Sequence, residues 1–197
     1  MLLTRANHDE VEADLLSGRL SCPFCGGWLA PWGYGTEREL RSLKRATRLR
    51  PRRAICSSCR KTQVLLPPTS LPRRRDSVEV ILEAWRARVA GAGLREIATL
   101  LARPLSTVRR WLGELAGRAE QLRCAATRLL HALDHSPLAL GPAGSPLADA
   151  LDALGHALAA SLRRLGPEAS SPLASILAAG GFGASSRCQG PPGASRR

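Results

Sequence analysis

Four of the six cysteines stand in two C-x2-C pairs, Cys22-Pro23-Phe24-Cys25 and Cys56-Ser57-Ser58-Cys59, with 30 residues between them. A C-x2-C turn is tight enough to aim two thiolates at one ion, and two such turns complete a tetrahedral shell of four sulfurs. A shell filled by protein has no open position for substrate. The chemistry is therefore structural: one Zn2+ ion on Cys22, Cys25, Cys56 and Cys59. Gly26-Gly27 directly follows the first pair, where backbone amides wrap close to sulfur and small residues with free φ are needed. Two disulfides are the competing use of the same residues. The opening MLLTRANHDEVEADLL is broken by charge too early for a secretory leader. A reducing compartment, where thiols stay reduced, then favours metal. No apolar run approaches the roughly 18 residues of a membrane span, so the expectation is a soluble, cytoplasmic, nucleoid-associated chain with no membrane partner.

A second chemistry lies in the placement of charge. The chain carries 29 Lys+Arg against 16 Asp+Glu, a net +13 over 197 residues. Residues 36–111 hold 19 of those cations and only six acids, so the middle of the chain accounts for the whole excess. A concentrated positive field attracts polyanions, and neutralised phosphates release condensed counterions. Double-stranded DNA is the expected partner. Within this stretch Arg48, Arg50 and Arg52 alternate, so an extended backbone would line them on one face along a phosphate backbone. A solvated strand edge is the plainer reading of the same residues. Arg73, Arg74 and Arg75 form a second cluster, similar to the basic arms that enter a minor groove, or a solvated linker.

Positioning these groups requires helices. Asp76-Ser77-Val78-Glu79 has the form of a capping box, and Val78, Ile81, Leu82, Trp85 and Val89 recur on one face of a helix ending near Gly91 or Gly93. Leu94 to Leu101 predicts a two-turn helix with Leu94, Ile97, Leu100 and Leu101 inward. Pro104 suits the first position of a third helix, Pro104 to Leu112, with Val108, Trp111 and Leu112 inward. Three short helices with a tight turn between the last two predict a helix-turn-helix over 76–113. Leu105, Ser106, Arg109 and Arg110 then face outward. Arg109 and Arg110 suit bidentate contact with guanine, and Ser106 and Thr107 suit a phosphate or base edge at the helix N-terminus.

The remaining sequence divides by composition. Residues 1–20 read as a short N-terminal helix, 21–67 as a ribbon of short strands with Trp28, Trp32 and Tyr34 in its core, and 68–75 as a basic linker. An amphipathic helix is expected over 114–135, with Leu112, Leu115, Ala119, Leu122, Ala126, Leu129 and Leu133 in one stripe. Residues 136–181 form a Pro/Gly-punctuated helical region, and 182–197 a disordered tail. Inside that region Ser145 and Pro146 start a helix, with Leu147, Leu151, Leu154, Leu158, Leu162 and Leu165 on one side and Gly166 at its end. A second short helix is expected from Ser171 to Gly180. The two leucine stripes pack together or pair across chains in a homodimer. The fold class is mainly α with a small β zinc ribbon.

The segments CPFCGGWLAPWG, RLRPRRAICSSCRKTQVLLP, LPRRRDSVEVI and REIATLLARPLSTVRRWL together resemble a family of uncharacterised bacterial proteins grouped as a domain of unknown function. Its members pair an N-terminal zinc ribbon with a helix-turn-helix and are similar to the DNA-binding front half of insertion-sequence transposases. The likeness covers residues 20–113. It implies DNA recognition and a recombinase or transposase as partner, without an established activity.

Catalysis is not expected. A transposase needs a domain on the order of 150 residues with three metal-binding carboxylates, whereas only Glu114, Glu120, Asp134, Asp149, Asp152 and Glu168 follow the third helix, in Ala/Leu-rich helical sequence. Cys124 and Cys188 have no neighbouring histidine to form a dyad, and His131 with His135 lacks a third ligand. The leading expectation is a non-catalytic, zinc-stabilised DNA-binding protein, either a transcription regulator or the site-recognition accessory of a mobile element. A protein–protein adaptor and a decayed transposase fragment are the alternatives.

Overall fold

The computed structural model describes residues 2–3, 8–134, 140–166 and 176–177. Among them are six helices and two small sheets, so the architecture is mainly α with a small β unit toward the N-terminus. Strands β1 (Leu2–Leu3), β2 (Leu29–Tyr34), β5 (Arg52–Cys56) and β6 (Thr62–Leu66) form one sheet in the order β1-β6-β5-β2. β1 runs parallel to β6, and the other pairs are antiparallel. Strands β3 (Arg38–Arg41) and β4 (Ala46–Leu49) make a separate hairpin. β2 carries Pro31 and Gly33, which an edge strand tolerates because one side of its ladder is unused.

Helix α1 (His8–Leu16) covers one face of the larger sheet. Val11 and Leu15 meet Leu29, Ala54, Cys56 and Leu65 there, and Cys22 closes the cluster. The aromatic residues expected in this core are outside it. Trp28, Trp32 and Tyr34 are 53%, 50% and 42% exposed. Trp28, next to Leu29, falls on the opposite side by strand alternation, Trp32 stands in a register break of β2 between Pro31 and Tyr34, and α1 packs on the Leu29 side.

The segment expected to be a flexible basic linker is a docked loop. Ser70 and Leu71 are fully buried, and Leu71 belongs to the core of the helices that follow. Backbone bonds from Ser70 N–H to Pro67 O (2.9 Å) and from Val78 N–H to Thr69 O (2.9 Å) fix its path.

Helices α2 (Val78–Val89), α3 (Leu94–Leu100) and α4 (Leu105–Ala116) share that core through Ile81, Trp85, Ile97, Val108, Trp111 and Leu115. On α3 the inward stripe is Leu94, Ile97, Ala98 and Leu101, spaced i, i+3, i+4, i+7. Leu100, expected inward, falls off that stripe and is 64% exposed. Val89 likewise lies at the outer end of α2. The turn from α3 to α4 places Ala102 at φ 50°, with Arg103 N–H closing onto Ala98 O at 2.9 Å. That is the left-handed closure in which glycine is the usual residue.

Helices α5 (Ala119–Leu133) and α6 (Pro146–Leu165) pack along each other. Ser145 starts α6 by accepting from Ala148 N–H (3.2 Å), and Gly166 ends it at φ 78°. Its fully buried face is mostly alanine, joined by Leu154 of the expected stripe, and Leu147, Leu151 and Leu158 pack partly on the same core. Ala150, Ala153, Ala157 and Ala160 are 0 to 3% exposed, whereas Leu162 and Leu165 are more than half exposed. Small side chains over most of that face let the two backbones approach closely. Ile176 and Leu177 are buried against the same core. The rest of the helix expected over 171–180, and the tail expected over 182–197, lie outside the described residues.

Candidate metal centre and basic surface

The two cysteine pairs sit in knuckles of matching construction. In the first, Cys22 N–H donates to Gly27 O (2.7 Å) and Gly26 N–H to Cys22 O (2.9 Å). In the second, Cys56 N–H donates to Lys61 O (3.0 Å) and Arg60 N–H to Cys56 O (3.2 Å). The residue after each pair is left-handed, Gly26 at φ 72° and Arg60 at φ 60°. The first knuckle uses glycine for this, and the second holds an arginine in the same strained region. At Gly27 a Cβ would stand 2.5 Å from Ser58 Oγ and 3.1 Å from Cys56 Sγ, so the knuckles meet only because that position has no side chain.

The four sulfurs lie within 4.8 Å of one another. Cys22 and Cys59 are 3.7 Å apart at Sγ, and Cys25 and Cys56 are 3.4 Å apart. A disulfide needs about 2.05 Å, and the cysteines are free thiols. A tetrahedral shell with metal–sulfur bonds of about 2.3 Å has sulfur–sulfur edges of about 3.8 Å. The donor set fits a single metal ion. Backbone N–H groups support the charged form: Cys59 N–H points at Cys56 Sγ (3.5 Å) and, with Ser58 N–H against the opposing effect of burial, holds the Cys56 thiol down at about 6. Lys61 N–H favours the Cys59 thiolate in the same way. Burial and the protons shared with Cys25, Cys56 and Cys22 nevertheless push Cys59 up to about 11.

The basic residues separate into engaged and open groups. Arg48, Arg50 and Arg52 do not form one ladder, because the chain breaks between β4 and β5 and the two strands belong to different sheets. Arg48 is exposed and pairs with Glu37 (3.2 Å). Arg50 lies over the Tyr34 ring at 5.2 Å. Arg52 is held internally: its side chain is 12% exposed, donates to Glu12 on α1 (3.2 Å) and Gly33 O (2.6 Å), and covers Tyr34 at 4.6 Å. Arg74 is likewise buried and paired with Glu114 of α4. Burial lowers its guanidinium from the ordinary value, Glu114 opposes that, and nearby Arg110 adds to it.

The Arg74–Glu114 pair brings the loop to α4, so exposed Arg73 and Arg75 flank that helix. On α4, Val108, Trp111, Leu112 and Leu115 face the core, whereas Ser106, Arg109 and Arg110 are exposed and Thr107 is half-buried. Among the described residues Arg109 and Arg110 form no ion pair. Leu105, expected outward, packs partly on the core.

Sequence reasoning missed the group that joins the two units. Asp76, expected as a helix cap, is 4% exposed and accepts from Arg41 of β3 (2.8 Å) and Arg103 of the α3–α4 turn (2.6 Å). Glu79, the other half of the expected capping box, accepts from Leu43 N–H (3.2 Å) in the hairpin loop. Ser77 takes the cap position without a side-chain bond. Arg41 N–H to Arg75 O (2.7 Å) and Ser77 N–H to Arg41 O (2.9 Å) complete the seam. The hairpin is thereby fixed against the start of α2 and the turn before α4, with Lys44 and Arg45 exposed in its loop. Nothing in residue spacing signals this pairing across 27 and 35 residues.

The remaining candidates are spread out. Cys124 donates to Glu120 (3.3 Å), whose carboxyl is held at about 2 by bonds from Arg123 and then Cys124. His131 lies in a shallow groove with Arg123, Thr127 and Arg128, and its proposed companion His135 and Cys188 lie outside the described residues. Among the described residues no helix is long and apolar enough to cross a membrane. Comparison with protein-family models, curated proteins and solved structures found no match to this chain.

Proposed function

We propose that the chain is a non-catalytic DNA-binding protein whose N-terminal ribbon is held by one structural Zn2+ ion on Cys22, Cys25, Cys56 and Cys59. In this reading α2, α3 and α4 are a helix-turn-helix, and α4 lies in the major groove of double-stranded DNA. The observation that carries it is the outer side of α4, where Ser106, Arg109 and Arg110 are exposed and, among the described residues, both arginines form no ion pair, beside exposed Arg73 and Arg75 on the loop docked by Arg74. Concentration of the +13 charge in residues 36–111 supports a polyanionic partner. Three of the carboxylates on and after α4 are paired with arginine, Glu114 with Arg74, Glu120 with Arg123 and Asp134 with Arg163, which supports a structural rather than catalytic use of them. The biological setting is transcription regulation or site recognition for a mobile element, with a recombinase or transposase as the partner in the second case.

The test compares a duplex selected from random sequence with an unselected duplex. Arg109→Ala or Arg110→Ala should cost about 1 to 3 kcal/mol on the selected duplex and spare the other, because a guanine contact is lost only where guanine is read. Arg73→Ala or Arg75→Ala should weaken both and reduce the salt slope by about one unit. Equal loss on both duplexes in the α4 variants removes the recognition-helix assignment.

A further inference from the structure

Four of the six described aromatic side chains are exposed, and all four belong to the ribbon: Phe24, Trp28, Trp32 and Tyr34. Large aromatics held in water by an ordered fold mark a contact surface more often than a structural need. The four are not equivalent. Lys61 lies 4.4 Å over Phe24, and Arg50 and Arg52 cover Tyr34. Trp28 and Trp32 are each about half exposed, with no hydrogen bond from the indole and no cation over the ring among the described residues. Four residues along a strand span about 13 Å, so each indole serves its own planar partner.

The surroundings select the chemistry of that partner. The strand positions that share the side of Trp28 are Ala30 on β2, Arg53 and Ile55 on β5, and Thr62 and Val64 on β6, none of them acidic, and Trp32 stands in the register break of β2 between Pro31 and Tyr34, opposite the Arg53 stretch of β5. Arg50 and Lys61 supply cations at its margins, already lying over rings. The acids within the ribbon are Glu37, paired with Arg48, and Glu39 on β3 of the separate hairpin, and Asp9, Glu10, Glu12 and Asp14 ride on α1, which packs on the Leu29 side of the sheet. Half-exposed indoles among cations, with no acid on the neighbouring strand positions, suit a ligand that is planar and aromatic at intervals and negative between them. We infer that the ribbon binds an unpaired nucleic-acid strand, with one base stacked on Trp28, another on Trp32, and the phosphates near Arg50, Arg53 and Lys61. This goes beyond the duplex reading of α4 and stands without it. A chain that engages both would hold duplex and unpaired strand at once, as at an opened or branched site.

The arrangement of tryptophans supplies its own probe. Trp85 and Trp111 are each 1% exposed, so emission from Trp28 and Trp32 alone should respond to a stacked base. The experiment titrates the full zinc-loaded chain with oligothymidine and, separately, oligouridine, which share the stacking chemistry and differ in the sugar. Either strand should quench emission. Trp28→Ala and Trp32→Ala should each weaken binding about tenfold, in line with loss of one stacked base, and Trp32→Phe should recover most of the loss. In the double alanine variant the residual emission should not respond. Arg109→Ala should leave single-strand affinity unchanged, and the tryptophan variants should leave duplex affinity unchanged, so that failure of either reading is seen separately. The inference is overturned if neither strand quenches, or if single-strand affinity is the same in Trp28→Ala and Trp32→Ala as in the parent, which would assign the indoles to a protein partner instead.

Discussion

The ribbon and the helical unit use the same residue types in opposite ways. In the helical unit both tryptophans are buried, Trp85 between α2 and α6 with its indole N–H on Leu147 O (3.0 Å), and Trp111 in the centre of α4. In the ribbon both are outside, and the core is reduced to Val11, Leu15, Leu29, Ala54, Leu65 and cysteine sulfur. The helical unit is held by apolar area, which does not depend on a bound ion. The ribbon has a much smaller apolar cluster, and small domains commonly add a metal or disulfides to such a core. With the proposed ion on its four thiols, the ribbon can release its aromatics to the surface, whereas a region stabilised by burial alone cannot.

Removing the metal should break this contrast most severely. With structural zinc contributing about 10 to 16 kcal/mol of apparent binding energy in small domains, chelation or Cys56→Ser should unfold residues 21–66 and spare α2 to α6. Elemental analysis should give one zinc per chain, and amide exchange should show loss of protection confined to the ribbon. Loss spreading evenly into α2 to α6 would mean that the two units do not stand on separate forces.

The tryptophans give the next largest effect. Trp85→Ala or Trp111→Ala should destabilise the helical unit by about 3 to 5 kcal/mol through the cavity left behind. Trp28→Ala and Trp32→Ala should change stability by about 0.5 kcal/mol or less, as expected of exposed positions. Denaturant titration followed by circular dichroism checks both, and equal effects would contradict the division.

Asp76 tests the seam between the regions. Asp76→Ala leaves Arg41 and Arg103 facing each other without a counter-charge, at a cost of about 3 kcal/mol. It should also uncouple the two transitions, so that the ribbon and the helices melt at separate temperatures in calorimetry. Asp76→Asn should retain part of the junction, because the amide oxygen still accepts from one guanidinium.

The smallest effect is expected in the turn before α4. Ala102 occupies left-handed backbone at φ 50°, a conformation that costs a residue with Cβ about 1 kcal/mol. Ala102→Gly should raise the stability of the helical unit by about that amount or less, with no change in ribbon unfolding. Thermal melts of the zinc-loaded and chelated protein distinguish the two.

The metal knuckles, the three short helices and the start and end of α6 were legible in the sequence because each rests on local rules: thiolate spacing, a 3.6-residue apolar period, and Ser-Pro and Gly punctuation at helix ends. Periodicity says that one side of an element is buried without saying which neighbour covers it, and there the sequence was silent. Whether Trp28 and Trp32 are core or surface depended on which face of the sheet α1 would cover. Alanine fills most of the inner face of α6, with Leu154, because α5 approaches closely, and closeness is a property of the pair. The charged residues were the least legible. The sequence by itself determined that residues 36–111 are strongly basic and that four thiols could share one ion. Only the tertiary structure decided that Arg52, Arg74 and Arg103 face acids inside the fold while Arg109 and Arg110 face solvent, because an ion pair forms between residues distant in the chain and leaves no mark in their spacing.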